Sequence, residues 1–185
     1  GTTTLYGGAG TDSVFVGTGA SNKVYGEAAA DTFYATASIT GATVSGGAGN
    51  DVFTFSTGNV SSSAITGGTG NDSVNFGAYH TTAALATTIY FGYGDGADSV
   101  AFKVNTTGTA AGSLVVAMDS QYGATSTIGF SGAQGGTSRT ATFGAGTNQG
   151  SIAFTNLFTN TSGEALTSAG ITFTTVSTAT ITALG

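Results

Sequence analysis

The feature that most constrains this chain is one turn that recurs five times within its first hundred residues. Tyr6-Gly-Gly-Ala-Gly-Thr-Asp-Ser-Val-Phe15 returns as Ser45-Gly-Gly-Ala-Gly-Asn-Asp-Val-Phe-Thr54 and as Thr66-Gly-Gly-Thr-Gly-Asn-Asp-Ser-Val-Asn75. Two looser copies complete the set, Tyr25-Gly-Glu-Ala-Ala-Ala-Asp-Thr-Phe-Tyr34 and Gly92-Tyr-Gly-Asp-Gly-Ala-Asp-Ser-Val-Ala101. The closing aspartates are Asp12, Asp31, Asp51, Asp72 and Asp98, at spacings of 19, 20, 21 and 26. Self-similarity at such a period is the signature of a stacked array of small structural units.

Each unit has a readable shape. Glycine enters φ > 0 without steric penalty, so the turn can be tight and aim its carbonyls inward. After the aspartate comes a period-two alternation, Val14/Val16, Phe53/Phe55, Val74/Phe76 and Val100/Phe102, which places those side chains on one strand face. A polar loop follows (17–22, 36–41, 57–63, 77–83), and a second strand through Val24, Val44, Ile65 or Ile89 leads into the next turn. Two short strands and two turns per coil predict a parallel β-helix, with coils ~4.8 Å apart and a rod on the order of 25 Å long. Composition agrees. Only 6% of residues are charged, against ~25% in ordinary globular proteins, while 32 Gly, 12 Phe and 7 Tyr favour strands and tight turns.

Seven of the nine acidic residues lie inside the turns: the five aspartates, Glu27 and Asp95. Lys23, Lys103 and Arg139 all fall outside them. Carboxylates stacked a few ångströms apart repel strongly, and a hard divalent ion taking six to eight oxygens removes that repulsion. The competing reading is a metal-free Asp–Gly turn, with Asp chosen for side-chain-to-backbone bonding. Here the chain resembles the RTX (repeats-in-toxin) family, whose nonapeptide Gly-Gly-x-Gly-x-Asp-x-apolar-x binds calcium in a parallel β-roll. Residues 7–15, 46–54 and 67–75 match that nonapeptide fully. Residues 26–34 keep Asp31 but lose the later glycines, and 93–101 put Tyr93 in the first glycine place. The resemblance implies calcium held by Asp12, Asp31, Asp51, Asp72 and Asp98, with backbone carbonyls of Gly8, Gly10, Gly47, Gly49, Gly68, Gly70, Gly94 and Gly96. RTX rolls repeat the nonapeptide back to back, with metal on both edges. Here it occurs once per coil, so a single calcium column along one edge is expected, the opposite Ser- and Thr-rich loops turning without metal.

The expected fold is therefore all-β, a parallel β-roll over residues 1–104 followed by a second β-rich region over 105–185. In that second region 108–118, 126–130, 137–143, 151–158 and 171–184 read as strands, and 139–154 as a hairpin. Whether it forms a separate sandwich or further coils is open in the sequence. Asp119 and Glu164 read as isolated, solvated or hydrogen-bonded surface groups, and His80, the one histidine, as a loop residue.

The acidic balance argues against nucleic acid, which demands a basic face. No apolar run approaches the length of a membrane span. No cysteine nucleophile, Gly-x-Ser-x-Gly elbow, zinc motif or phosphate loop occurs, so the chain is not expected to be an enzyme. An uncharged, Thr-rich β surface leaves open edges suited to strand-to-strand association. The expectation is an extracellular, homo-oligomeric or polymeric structural protein, resembling RTX-type bacterial surface-layer or filament subunits and exported by type I secretion. The alternatives are an RTX adhesin segment and the non-catalytic tail of a secreted enzyme. Ice binding ranks low because the Thr-x-Asn ladder it needs occurs only at Thr69 and Asn71.

Overall fold

The computed structural model describes residues 1–18, 20–56, 60–80, 87–104, 114–122, 129–131, 138–143, 150–155 and 171–184. Each recurring turn joins two strands: β1 (Thr4–Ala9) to β2 (Ser13–Phe15), then β3 (Lys23–Ala28) to β4 (Thr32–Ala35). After β5 (Ile39–Thr40), the third turn joins β6 (Thr43–Ala48) to β7 (Val52–Phe55). After β8 (Val60–Ser61), the fourth joins β9 (Ala64–Thr69) to β10 (Ser73–His80), and the fifth joins β11 (Thr87–Phe91) to β12 (Asp98–Val104). The chain continues through β13 (Leu114–Asp119), a 3-10 turn (Ser120–Tyr122), β14 (Gly129–Ser131), β15 (Ser138–Phe143), β16 (Gly150–Thr155), β17 (Ile171–Val176) and α1 (Thr178–Thr182).

These strands build the expected parallel β-roll. The strands before the turns form one sheet in the order β1-β3-β6-β9-β11-β13-β17. The strands after them form a second, β14-β15-β16-β12-β10-β7-β4-β2, and β5 pairs with β8 in the loops on the other edge. Equivalent residues stack in strict register. Val14, Phe33, Phe53, Val74 and Val100 form one ladder, and Val24, Val44, Ile65, Ile89 and Val116 form another. The side chains of both ladders are buried, so the core is the seam between the two sheets. The phenyl rings of Phe33 and Phe53 lie 4.8 Å apart and 8° from parallel, as in-register stacking demands.

The later strands extend the same two sheets. β13 and β17 continue the first in parallel, and β16 adds to β12 in the second. β15 and β16 pair antiparallel, Arg139 opposite Phe154, forming the expected hairpin. Three expectations need correcting. Residues 171–184 are not one strand: β17 stops at Val176 and α1 begins. Ser177 is the N-cap, its hydroxyl accepting from the Thr180 amide at 3.3 Å, and that cap ends the strand. His80 ends β10 rather than sitting in a loop, because pairing with β12 resumes at His80 after a register shift. Asp119 is not a surface group but fully buried. The expected strand residues 108–113, 126–128, 137 and 156–158, together with Glu164, lie outside the described residues.

Candidate metal site

All five recurring turns lie on one edge, where the first sheet passes into the second. Their aspartates are coupled one to the next. The Asp12 amide donates to Asp31 Oδ1 at 2.7 Å, Asp31 to Asp51 at 2.7 Å, Asp51 to Asp72 at 2.7 Å and Asp72 to Asp98 at 2.9 Å. Asp31, Asp51, Asp72 and Asp98 thus each spend one oxygen on the turn before, as a metal-free turn would require. The other oxygen has no such use. Oδ2 of Asp12, Asp31, Asp51 and Asp72 is buried and has no hydrogen-bond partner. An orphaned carboxylate oxygen is among the costliest groups to bury unless a cation meets it.

The glycines around these oxygens divide into two kinds. The second and fourth motif residues adopt φ > 0: Gly8 and Gly10, Gly47 and Gly49, Gly68 and Gly70, and Gly94 and Gly96. Carbonyls at these places point along the roll toward the next turn, Gly47 O toward Gly68, and Gly49 O toward Gly70. The first motif glycine has no such φ and is needed for space. A Cβ at Gly7 would lie 2.7 Å from Asp12 Oδ2 and 2.9 Å from Gly26 O. At Gly26 it would strike Asp31 Oδ2 and Gly46 O, and at Gly46 it would strike Asp51 Oδ2 and Gly67 O. A carboxylate oxygen and a carbonyl oxygen from the next coil thus converge on a cradle that any side chain would fill. The residues present fit a hard divalent cation, bound by carboxylate and carbonyl oxygen. Among the described residues, no three His, Cys, Asp or Glu side chains gather as a conventional metal cluster, so backbone carbonyls would have to complete the donor set beside the aspartates.

Sequence reasoning chose the five aspartates and the φ > 0 glycines, and the structure brings all of them to this edge. It missed Gly7, Gly26, Gly46 and Gly67. The signal was present, because the second motif gives up both later glycines and still keeps Gly26.

That second motif carries backbone strain. Glu27 and Ala29 stand where the full motifs place glycine, and both hold φ of 80°. An L-residue there costs about 1–2 kcal/mol. Ala29→Gly will therefore raise the stability of the calcium-loaded chain by about 0.5–1 kcal/mol, after allowing for the freer unfolded chain. Urea unfolding measures this, and an unchanged or lower midpoint would remove the strain argument.

The fifth turn is built differently. Tyr90 pairs with Thr66 and Ser99 with Ser73, so this turn holds two more residues than the fourth. Asp95 Oδ2 accepts from the Gly92 amide at 2.5 Å. The hydroxyl of Tyr122, on the next coil, donates to Gly92 O at 2.5 Å and accepts from the Gly94 amide at 3.2 Å. Tyr122 thus closes the column where a sixth turn would stand.

Electrostatics sharpen toward this end. Burial, opposed by the hydrogen bond from the Asp51 amide and assisted by the charges of Asp51 and Asp95, pushes the Asp72 carboxyl up to about 6. Burial, with the charges of Asp72 and Asp95, pushes Asp98 to about 7. Burial also raises Asp51 and Asp95. A file of desolvated carboxylates that resist ionising is what a bound divalent ion would relieve.

A family model for the RTX calcium-binding nonapeptide repeat matches the chain in four copies, at residues 4–22, 14–37, 43–60 and 63–78. No curated protein and no solved structure matches the chain.

Proposed function

We propose, from the premise that residues 4–37, 43–60 and 63–78 are RTX calcium-binding nonapeptide repeats, that this chain is a calcium-ordered structural protein of the bacterial exterior. Such repeats bind calcium, and the roll they build here has one metal edge. Asp12, Asp31, Asp51, Asp72 and Asp98 would hold the ions in single file with the motif carbonyls, including those of Gly26, Gly46 and Gly67. The ions supply charge neutralisation and cross-links between successive coils. The chain's own contribution is the amide-to-carboxylate ladder, which orients the carboxylates of Asp31, Asp51, Asp72 and Asp98 in the folded roll.

The observation that carries the structural role is the character of the remaining surface. Nine acidic and three basic residues serve 185, and seven of the acids are committed to the turns. The end strands β1 and β2 expose Leu5 (46%), Tyr6 (60%) and Phe15 (50%). Strand ends with little charge and exposed apolar side chains favour stacking of one roll on another, which monomeric proteins guard against with charge. Subunits of a surface layer or extracellular filament, exported by a type I channel, have this use for such a surface. No helix among the described residues is long and apolar enough to cross a membrane.

Electron microscopy of the native material in calcium will show a regular lattice or filament that disperses in excess chelator and reforms when calcium returns. Assemblies unchanged by chelator, or a monodisperse chain in calcium, would overturn the structural role.

A further inference from the structure

Beyond the repeated motif, the structure buries another carboxylate, Asp119, at the end of the column, facing the same cavity as Asp95 of the fifth turn. Asp119 is the last residue of β13 and is 0% exposed. Its Oδ1 accepts from the Gln121 amide at 2.8 Å, and its Oδ2 is buried with no hydrogen-bond partner. Register sets Asp119 one residue past the Phe91–Met118 pair, at the level of Gly92. A cavity of about 400 Å³ opens there, and Asp119, Asp95, Gly92, Tyr93, Gln121 and Thr178 line it. Asp95 is half-buried in the same wall, and the neighbouring charge it feels most is the repulsive one of Asp119.

Packing leaves the inner oxygen of Asp119 unexplained. A buried carboxylate oxygen without a donor is destabilising, and a second carboxylate on the same cavity makes it worse. The cavity contributes oxygen atoms, from the carboxylates of Asp119, Asp95 and Glu27 and from backbone and side-chain carbonyls, and neither sulfur nor imidazole. That donor chemistry selects a hard cation, and an irregular oxygen cage suits calcium better than magnesium. The Gln121 Nε2–Thr178 Oγ1 bond of 3.0 Å, between two residues that line the cavity, ties the segment after β13 to α1.

We propose that Asp119, which lies outside the nonapeptide motif, and Asp95 of the fifth turn hold a calcium ion at a site that joins that turn to β13 beneath the C-terminal helix. It differs from the motif sites in drawing its two carboxylates from segments that share no repeat. Its role is to terminate the column: Tyr122 satisfies the last turn's backbone, and this ion neutralises the acid left over beside it.

Equilibrium dialysis of the full chain against calcium tests the assignment through Asp119→Asn. The variant will bind one ion fewer per chain than the wild type, while calcium still induces the same β-sheet circular dichroism. An unchanged ion count would overturn the proposal. Should Asp119→Asn fail to fold, calcium-anomalous diffraction from wild-type crystals decides. A peak about 2.3–2.6 Å from Asp119 and Asp95 oxygens is expected; a water, or a hydrogen bond between the two carboxyl groups, would refute the site.

Discussion

Alanine at Gly46 will abolish calcium binding at the centre of the column and destabilise the loaded roll by about 3 kcal/mol or more. The added Cβ would strike Asp51 Oδ2 and the Gly67 carbonyl, the two oxygens that converge on an ion there. Both belong to the backbone ladder or to a carboxylate tied to it, so neither can swing aside as a long side chain would. Gly46 is not among the glycines of positive φ, so the loss cannot be assigned to a strained backbone. Gly17→Ala is the matched control. A Cβ at Gly17 meets nothing within 4 Å, so its effect will stay within about 0.5 kcal/mol. Calcium titration and urea unfolding of both variants separate the outcomes; Gly46→Ala with full calcium affinity would show that the cradle holds no ion.

The metal-free roll will lose stability as pH rises from about 4 to about 7, the reverse of the usual behaviour of paired aspartates. Asp72 and Asp98 are pushed to about 6 and about 7 by burial and by their acidic neighbours. Across that window the folded chain keeps protons that the unfolded chain releases, so ionisation favours unfolding. The benefit is complete below the ordinary aspartate value near 3.8 and gone above pH 7. For Asp98 alone the span corresponds to a loss on the order of 4 kcal/mol, and coupling to Asp72 forbids adding the two. Calcium inverts the trend because it binds the ionised form, so its apparent affinity weakens as pH falls below 7. Urea midpoints at several pH values, with and without calcium, give the test. A metal-free stability that climbs with pH would mean these carboxylates are already neutralised.

Much of this molecule is legible in its sequence because the roll is a one-dimensional repeat. Once Val14, Phe53 and Val74 follow equivalent aspartates, stacking in register is the only arrangement that buries them together. The one-edge placement of the turns follows from the same count. The first-position glycines were hidden by a plausible but incomplete rule: φ > 0 explains Gly8 and Gly47, whereas Gly7 and Gly46 are glycine for want of room. Asp119 was illegible because no local pattern marks it. Its burial comes from pairing with Val176 on β17 and from the turn at Tyr122, both products of long-range topology. The stop at Val176 was missed because Thr alternates with apolar residues up to the helix cap, and Ser177 resembles any other polar strand residue.

Far-UV circular dichroism of the full chain at pH 7.5, titrated with calcium, addresses most directly whether ions in the recurring turns hold the roll together. The expected result is a weakly structured metal-free chain that gains β-sheet signal in one steep, cooperative calcium transition, fully reversed by chelator. A complete β-sheet spectrum that persists in excess chelator would contradict it, because the orphaned Oδ2 atoms would then be tolerated without any ion.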